Sequence, residues 1–213
     1  MDIPSEHENH SRYTIMTGVS GCGKDFLIAK MKEFDLMPPS ISSISFGEEL
    51  FTLLKTNNPA IQSRDDIKRM LSQDQVRAGV LALCDRLMTS QPAIINTHVV
   101  YRQQDSLAFN PDILRRLNPT NFVYVWSDPE QIRQWRQADM SRNRPNEDAD
   151  DIDLHQCVAM ETTRIFAEYC GSGMRTIWNR EDNVLDNIDR IQDSLRQLKS
   201  SHKYQMGNYG TIN

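Results

Sequence analysis

Residues Gly18 to Asp25 read Gly-Val-Ser-Gly-Cys-Gly-Lys-Asp. Glycines at Gly18, Gly21 and Gly23 give up side-chain packing and open left-handed backbone conformations, the signature of a sharp turn. An apolar run, Tyr13–Thr17, precedes this turn, and a helical pattern follows from Lys24 to about Phe34, ending ahead of Pro38-Pro39. A strand that turns through glycines into a helix aims successive backbone N–H groups into one hollow, and the helix adds the positive end of its dipole. The spacing G-x-x-x-x-G-K then places a lysine where it can reach β and γ phosphates as a mobile point charge. Read only as a glycine-rich turn, the segment leaves Lys24 without a reason. The expectation is a phosphate-binding loop built from Gly18, Val19, Ser20, Gly21, Cys22, Gly23, Lys24 and Asp25, with Phe26 next along the helix.

Asp25 stands where such loops usually carry Ser or Thr, a neutral ligand for Mg²⁺. A second departure lies at the end of an apolar run, Ala93–Thr97. There Asn96 occupies the place where many phosphate-loop proteins carry a metal-side Asp. Together they predict that the negative charge has moved from the third strand to Asp25, which would hold Mg²⁺ directly or through water.

Elsewhere, short apolar runs alternate with helical patterns, as in a parallel α/β sheet. The candidate strands are Tyr13–Thr17, Ser42–Phe46, Ala93–Thr97, Phe122–Trp126 and Arg175–Trp178. The fourth is apolar without alternation, as in a strand covered on both faces. Helices are expected over Asp65 to about Thr89, with a break near Ser72, and over Asp153–Tyr169 and Asn183–Leu198. Another starts at Ser127-Asp128-Pro129, with Asp128 as its cap. The fold class is α/β, a P-loop three-layer sandwich. Its organisation is a flexible arm over 1–11, a kinase-type domain over 12–199 and a flexible tail over 200–213. The domain contains a helical insertion at 47–88 and a lid region at 136–153. The acids from Glu147 to Asp153 read as a solvated loop that also favours the next helix N-terminus.

The formal net charge of −5 argues against broad nucleic-acid binding, and no apolar stretch reaches the ~20 residues that span a bilayer. The four cysteines are scattered without a C-x-x-C pair, which points to reduced thiols in a cytoplasm.

The order of short motifs along the chain resembles the archaeal type of adenylate kinase, from about Tyr13 to Leu198. The matching pieces are the loop itself, Ser45-Phe46-Gly47, Ser63-Arg64-Asp65-Asp66, Ile94-Ile95-Asn96-Thr97-His98, Leu117-Asn118-Pro119, Ser141-Arg142-Asn143-Arg144, and Asn179 with Leu185-Asp186. The Gly-Lys-Asp ending of the loop is more similar to phosphomevalonate kinases and phage deoxynucleoside monophosphate kinases. The resemblance implies a five-stranded parallel sheet, an acceptor flap after the second strand, a small arginine-bearing lid and a homo-oligomer. It implies ATP as donor with Mg²⁺, and Lys24, Arg136, Arg142 and Arg144 as catalytic cations. Gly47, Arg64, Thr97, His98 and Arg102 fall on the acceptor side, and Asn179 falls where nucleotide kinases hold the adenine. Phosphoryl transfer spreads charge over three oxygens, and the planar fork of arginine suits that task.

The leading expectation is therefore ATP-dependent phosphorylation of a nucleoside monophosphate. Phosphorylation of another small phosphorylated metabolite keeps the same donor loop. A nucleotide-sensing protein without turnover would draw on the Asp25 and Asn96 departures. The third strand lacks the Asp-Glu ending usual in motor or AAA-type ATPases, which argues against that reading, and no N-K-x-D base-reading motif occurs.

Overall fold

In the computed structural model the strand Tyr13–Thr17 (β1) is buried at every residue, because it lies in the middle of its sheet. The structure describes the backbone of residues 13–103, 106–109, 111–139 and 147–206; the side chains of Asp65, Lys68, Arg102, Gln103, Glu181 and residues 197–206 are not part of that description. The chain continues through Lys24–Glu33 (α1), Ser42–Ser45 (β2), Phe46–Asn57 (α2), Arg64–Met70 (α3), Gln73–Met88 (α4) and Ala93–Asn96 (β3). A hairpin follows, Val100–Gln103 (β4) and Ser106–Phe109 (β5), then Pro111–Leu117 (α5), Asn121–Trp126 (β6), Pro129–Ala138 (α6), Ala149–Tyr169 (α7), Gly173–Trp178 (β7) and Val184–Met206 (α8).

The main sheet has five strands in the order β2-β3-β1-β6-β7, and every pairing in it is parallel. The expected strands are therefore all present, within two residues at each end. Side chains alternate across a strand, and β6 shows what covers each face. Tyr124 donates its hydroxyl proton to the Gln156 carbonyl of α7 (2.8 Å), whereas Asn121 donates Nδ2–H to the Ser194 carbonyl of α8 (3.1 Å). These two residues point to opposite faces, so the sheet lies between helical layers. Phe122, Tyr124, Ile15 and Ile95 are fully buried in the core.

Several boundaries differ from the sequence reading. Phe46 opens α2 instead of closing β2. The acids after Glu147 are helical: Asp148 caps α7 by accepting from the Asp151 amide (2.8 Å), and Asp150 and Asp151 fill its first turn. That helix therefore starts four residues before Asp153. The β4–β5 hairpin and α5 were not expected at all. Helix α8 runs to Met206, so the backbone over 200–206 is helical. The break near Ser72 is present, and both helices beside it begin with a capping box, Ser63 with Asp66 and Ser72 with Gln75. Among the described residues no helix is long and apolar enough to cross a membrane.

Candidate functional site

The glycine turn takes the shape its composition dictates. Gly18, Gly21 and Gly23 have φ of 144°, 84° and 89°, values that side chains rarely adopt. At Gly23 space is excluded as well: an added Cβ would lie 2.1 Å from Nδ2 of Asn179. The loop is held from below by long-range donors. The Cys22 carbonyl accepts from Ser127 Oγ (2.8 Å) and from Asn179 Nδ2 (3.1 Å). Ser127 is itself fixed by a two-way amide contact with the buried Gln156 of α7, at 3.1 and 2.9 Å.

Lys24 is buried, and its Nζ donates to the carbonyls of Gly18 (3.0 Å) and Val19 (2.9 Å). The Gly18 carbonyl also meets His98 Nδ1 at 2.8 Å. Cys22 is fully buried with its Sγ 3.5 Å from Lys24 Nζ. Asp25 is exposed in the first turn of α1, and Asn96 donates Nδ2–H to its carboxylate. The two departures from the usual motif thus touch each other, 71 residues apart in sequence.

A cavity of ≈ 690 Å³ opens over the loop and extends under the helical insertion. Of the expected site residues it brings together Ser20, Gly21, Gly23, Lys24, Asp25, Phe26, Gly47, Arg64, Thr97, His98 and Asn179. Gly18, Val19 and Cys22 lie beneath it as part of the loop's framework. The insertion wall is apolar, made by Phe46 and Leu50 of α2, Val76 and Val80 of α4, and Ile113 of α5. Among the described residues Arg64 is the lining cation on this side; it is exposed and ion-paired with Glu48. The wall residues alternate with charged ones at helical spacing, a signal that reads as ordinary core in a sequence. Trp135, Asp139 and Arg180 also line the cavity. The Arg180 guanidinium sits 5.0 Å above the Trp178 ring, a cation–π contact.

Arg136 is placed differently from the sequence expectation. It does not line the cavity. Its Nε donates to the Ser20 carbonyl (2.9 Å), and Nη1 pairs with Glu147. Both side chains are nearly buried, at 8% and 7% exposure. Glu147 is therefore an internal counterion and not part of a solvated acidic loop. Arg142 and Arg144 lie outside the described residues, and the Arg102 side chain is likewise outside them. Asp128 is the expected helix cap, accepting from the Gln131 amide at 3.1 Å.

Two carboxylates line the cavity, Asp25 and Asp139. Among the described residues no cluster of three or more His, Cys, Asp or Glu could hold an ion unaided. That donor set fits Mg²⁺, which is commonly bound by one or two carboxylates, with waters and substrate phosphates supplying the rest.

Comparison with known proteins agrees with this architecture. An adenylate kinase of Methanoculleus marisnigri is 29% identical over 187 residues, covering 85% of this chain and 97% of its own. An adenylate kinase of Methanococcus aeolicus is 25% identical over 191 residues, covering 87% and 98%. Among solved structures, the shikimate kinase of Acinetobacter baumannii in complex with shikimate superposes with a TM-score of 0.54 at 13% identity, over 90% of this chain and 94% of its own. The shikimate kinase of Bacteroides thetaiotaomicron superposes with a TM-score of 0.51 at 12% identity, over 86% and 98%. These two share the fold. Residues 17–153, more than half of the chain and the stretch that carries the loop, the insertion and β6, match the AAA domain family despite the missing Asp-Glu ending of the third strand that argued against it, and the chain belongs to that family.

Proposed function

We propose that the protein transfers the γ-phosphoryl group of ATP to a nucleoside monophosphate, giving ADP and a nucleoside diphosphate. One observation carries the reading. The glycine loop with Lys24 and the helical insertion with Gly47 and Arg64 line a single cavity, so a donor on the loop would face an acceptor under α2–α4. The full-length likeness to adenylate kinases supports it.

In this reading the loop amides and Lys24 hold the donor phosphates, and Lys24 stabilises charge on the transferring group. Phe26 and Asn179 lie on the donor side, where Asn179 also braces the loop through the Cys22 carbonyl. Asp25, oriented by Asn96, would hold Mg²⁺, which neutralises phosphate charge when bound. The apolar insertion wall receives a flat base, while Arg64, Thr97 and His98 serve the acceptor phosphate. Arg102, Arg142 and Arg144 are assigned to the phosphates by sequence position alone. Arg136 meets a phosphoryl oxygen only by exchanging Glu147 for it; otherwise it acts through the Ser20 carbonyl as a positioning residue.

The test is ADP release with ATP and Mg²⁺ against a panel of nucleoside and deoxynucleoside monophosphates, with Lys24→Ala as control. Release with one monophosphate, abolished in the control, is the expected outcome. Silence across the panel with ATP binding retained rejects the acceptor class. It would turn attention to a small phosphorylated metabolite or to nucleotide sensing without turnover.

A further inference from the structure

Arg136 and Arg64 are both ion-paired, and the two pairs differ in kind. Arg136 and Glu147 are nearly buried, and Arg136 also donates to the Ser20 carbonyl. Such a pair is a fixed brace, since breaking it strands a charge away from water. Arg64 and Glu48 are the opposite case. Their side chains are 42% and 57% exposed, and among the described residues each has only the other as hydrogen-bonded or ionic partner. An exposed pair contributes little, because water solvates both ions once they part. It is therefore readily exchanged for a stronger partner.

Both ends of this pair lie where an exchange matters. Arg64 lines the cavity, and its guanidinium packs over Gly47. A Cβ at Gly47 would stand 3.7 Å from Nη2 and 3.9 Å from Cζ of Arg64, so the bare backbone leaves the cation room. Glu48 is not among the lining residues. It belongs to the first turn of α2, where the positive end of the helix dipole favours a carboxylate that has let go of its partner. The neighbouring acid, Glu49, is engaged with Arg86 of α4. Glu48 is thus the α2 carboxylate that holds Arg64, and it has a second resting place on its own helix.

We propose that Glu48 is an internal stand-in for the acceptor phosphate, which occupies Arg64 in the empty site, yields it on binding and so sets acceptor affinity. This rests on the reading of the cavity given under the proposed function. A phosphate dianion displaces a single carboxylate because it brings more charge and three acceptor oxygens to the planar fork. An uncharged nucleoside has nothing to offer Arg64 and leaves the pair closed. Glu48 therefore selects acceptors by their phosphate, while weakening the binding of every acceptor that must displace it.

Calorimetric titration of the full chain with AMP, GMP, CMP, UMP and dTMP tests this, in the wild type, Glu48→Gln, Arg64→Ala and the double variant. Glu48→Gln keeps the side chain's shape and removes its charge, and circular dichroism verifies that each variant folds. The monophosphate should bind about threefold tighter to Glu48→Gln than to the wild type. It should bind roughly tenfold or more weakly to Arg64→Ala. In the Arg64→Ala background, Glu48→Gln should leave the affinity unchanged, because the two residues act as one coupled pair. ATP should bind the wild type and Glu48→Gln equally. Unchanged or weaker monophosphate binding by Glu48→Gln overturns the proposal. Equal tightening with and without Arg64 overturns it as well, since that is a general charge effect, and so does an equal tightening for ATP. If no monophosphate binds to the wild type or to Glu48→Gln, the proposal and the acceptor reading fall together. The expected binding pattern without ADP release leaves the exchange standing and removes only phosphoryl transfer.

Discussion

Lys24 Nζ and His98 Nδ1 both address the Gly18 carbonyl, so the cation that meets phosphate is oriented by the backbone of its own loop. Lys24→Ala removes the charge and leaves the turn's other braces, through Cys22, in place. Turnover is expected to fall on the order of 100-fold or more, with the fold retained; single-turnover kinetics and circular dichroism check the two halves. Gly23→Ala should do the reverse. The left-handed backbone costs about 1–2 kcal/mol for an ordinary residue, and the added methyl drives Asn179 off the Cys22 carbonyl. Stability and ATP affinity should drop together, measurable by thermal shift with and without nucleotide. Asp25→Ala tests the relocated metal ligand. The Mg²⁺ concentration for half-maximal rate should rise at least about tenfold, and Asn96→Ala should give a smaller rise in the same direction. An Asp25→Ala protein with an unaltered Mg²⁺ dependence would rule the carboxylate out as a ligand.

Helices α2 and α4 make the apolar wall of the cavity, and α4 starts on Ser72, whose side chain accepts from the Gln75 amide at 3.2 Å. Ser72→Ala should cost about 1 kcal/mol in urea unfolding. Because Val76 and Val80 ride on that first stretch of helix, the acceptor KM should rise more than kcat falls. The strands were readable from Tyr13–Thr17 onward, since unbroken apolar runs between turn signals have few other homes. The cap was readable at Asp128; at Ser72 only a break was, and the helix capped by Asp148 read as starting at Asp153. The β4–β5 hairpin was not readable, because Val100-Tyr101-Arg102-Gln103 lacks a clear alternation and no Asn-Gly or Asp-Gly turn announces it. The loop residues themselves were plain in the sequence; their supports were not. Ser127, Gln156 and Glu147 act on the loop across long chain separations, and their residue types are ordinary polar ones. The placement of Arg136 failed for the same reason: its local signal fits a lid cation, while its partner, Glu147, is fixed only by packing.

At the scale of the whole molecule, two sets of shifted groups among the described residues have opposite pH behaviour. Hydrogen bonds from Ser63 and the amides of Gln62 and Ser63 hold the Asp66 carboxyl below the ordinary range, and Arg116 and Arg133 do so for Asp85 and Glu130. Depressed carboxyl values contribute stability that is present above the unfolded pKa and lost as pH falls through the folded one. Burial pushes the Cys84 thiol up to about 12 and the Tyr124 phenol up as well. Raised values contribute stability that is full below the unfolded pKa and lost as pH climbs towards the folded one. The melting temperature should therefore hold a plateau between about pH 5 and pH 8 and decline on both sides, with Cys84→Ala softening only the alkaline decline. The braces on the loop carry one more consequence, for the order in which the molecule is made. The Cys22 carbonyl waits for donors 105 and 157 residues downstream, and β1 gains its second neighbour only with β6. A ribosome has thus added 157 residues after Cys22 before the turn's last brace exists. Nascent chains arrested at increasing lengths should gain nucleotide-dependent protease resistance only after Asn179 has cleared the exit tunnel, so the phosphate loop becomes functional long after it is translated.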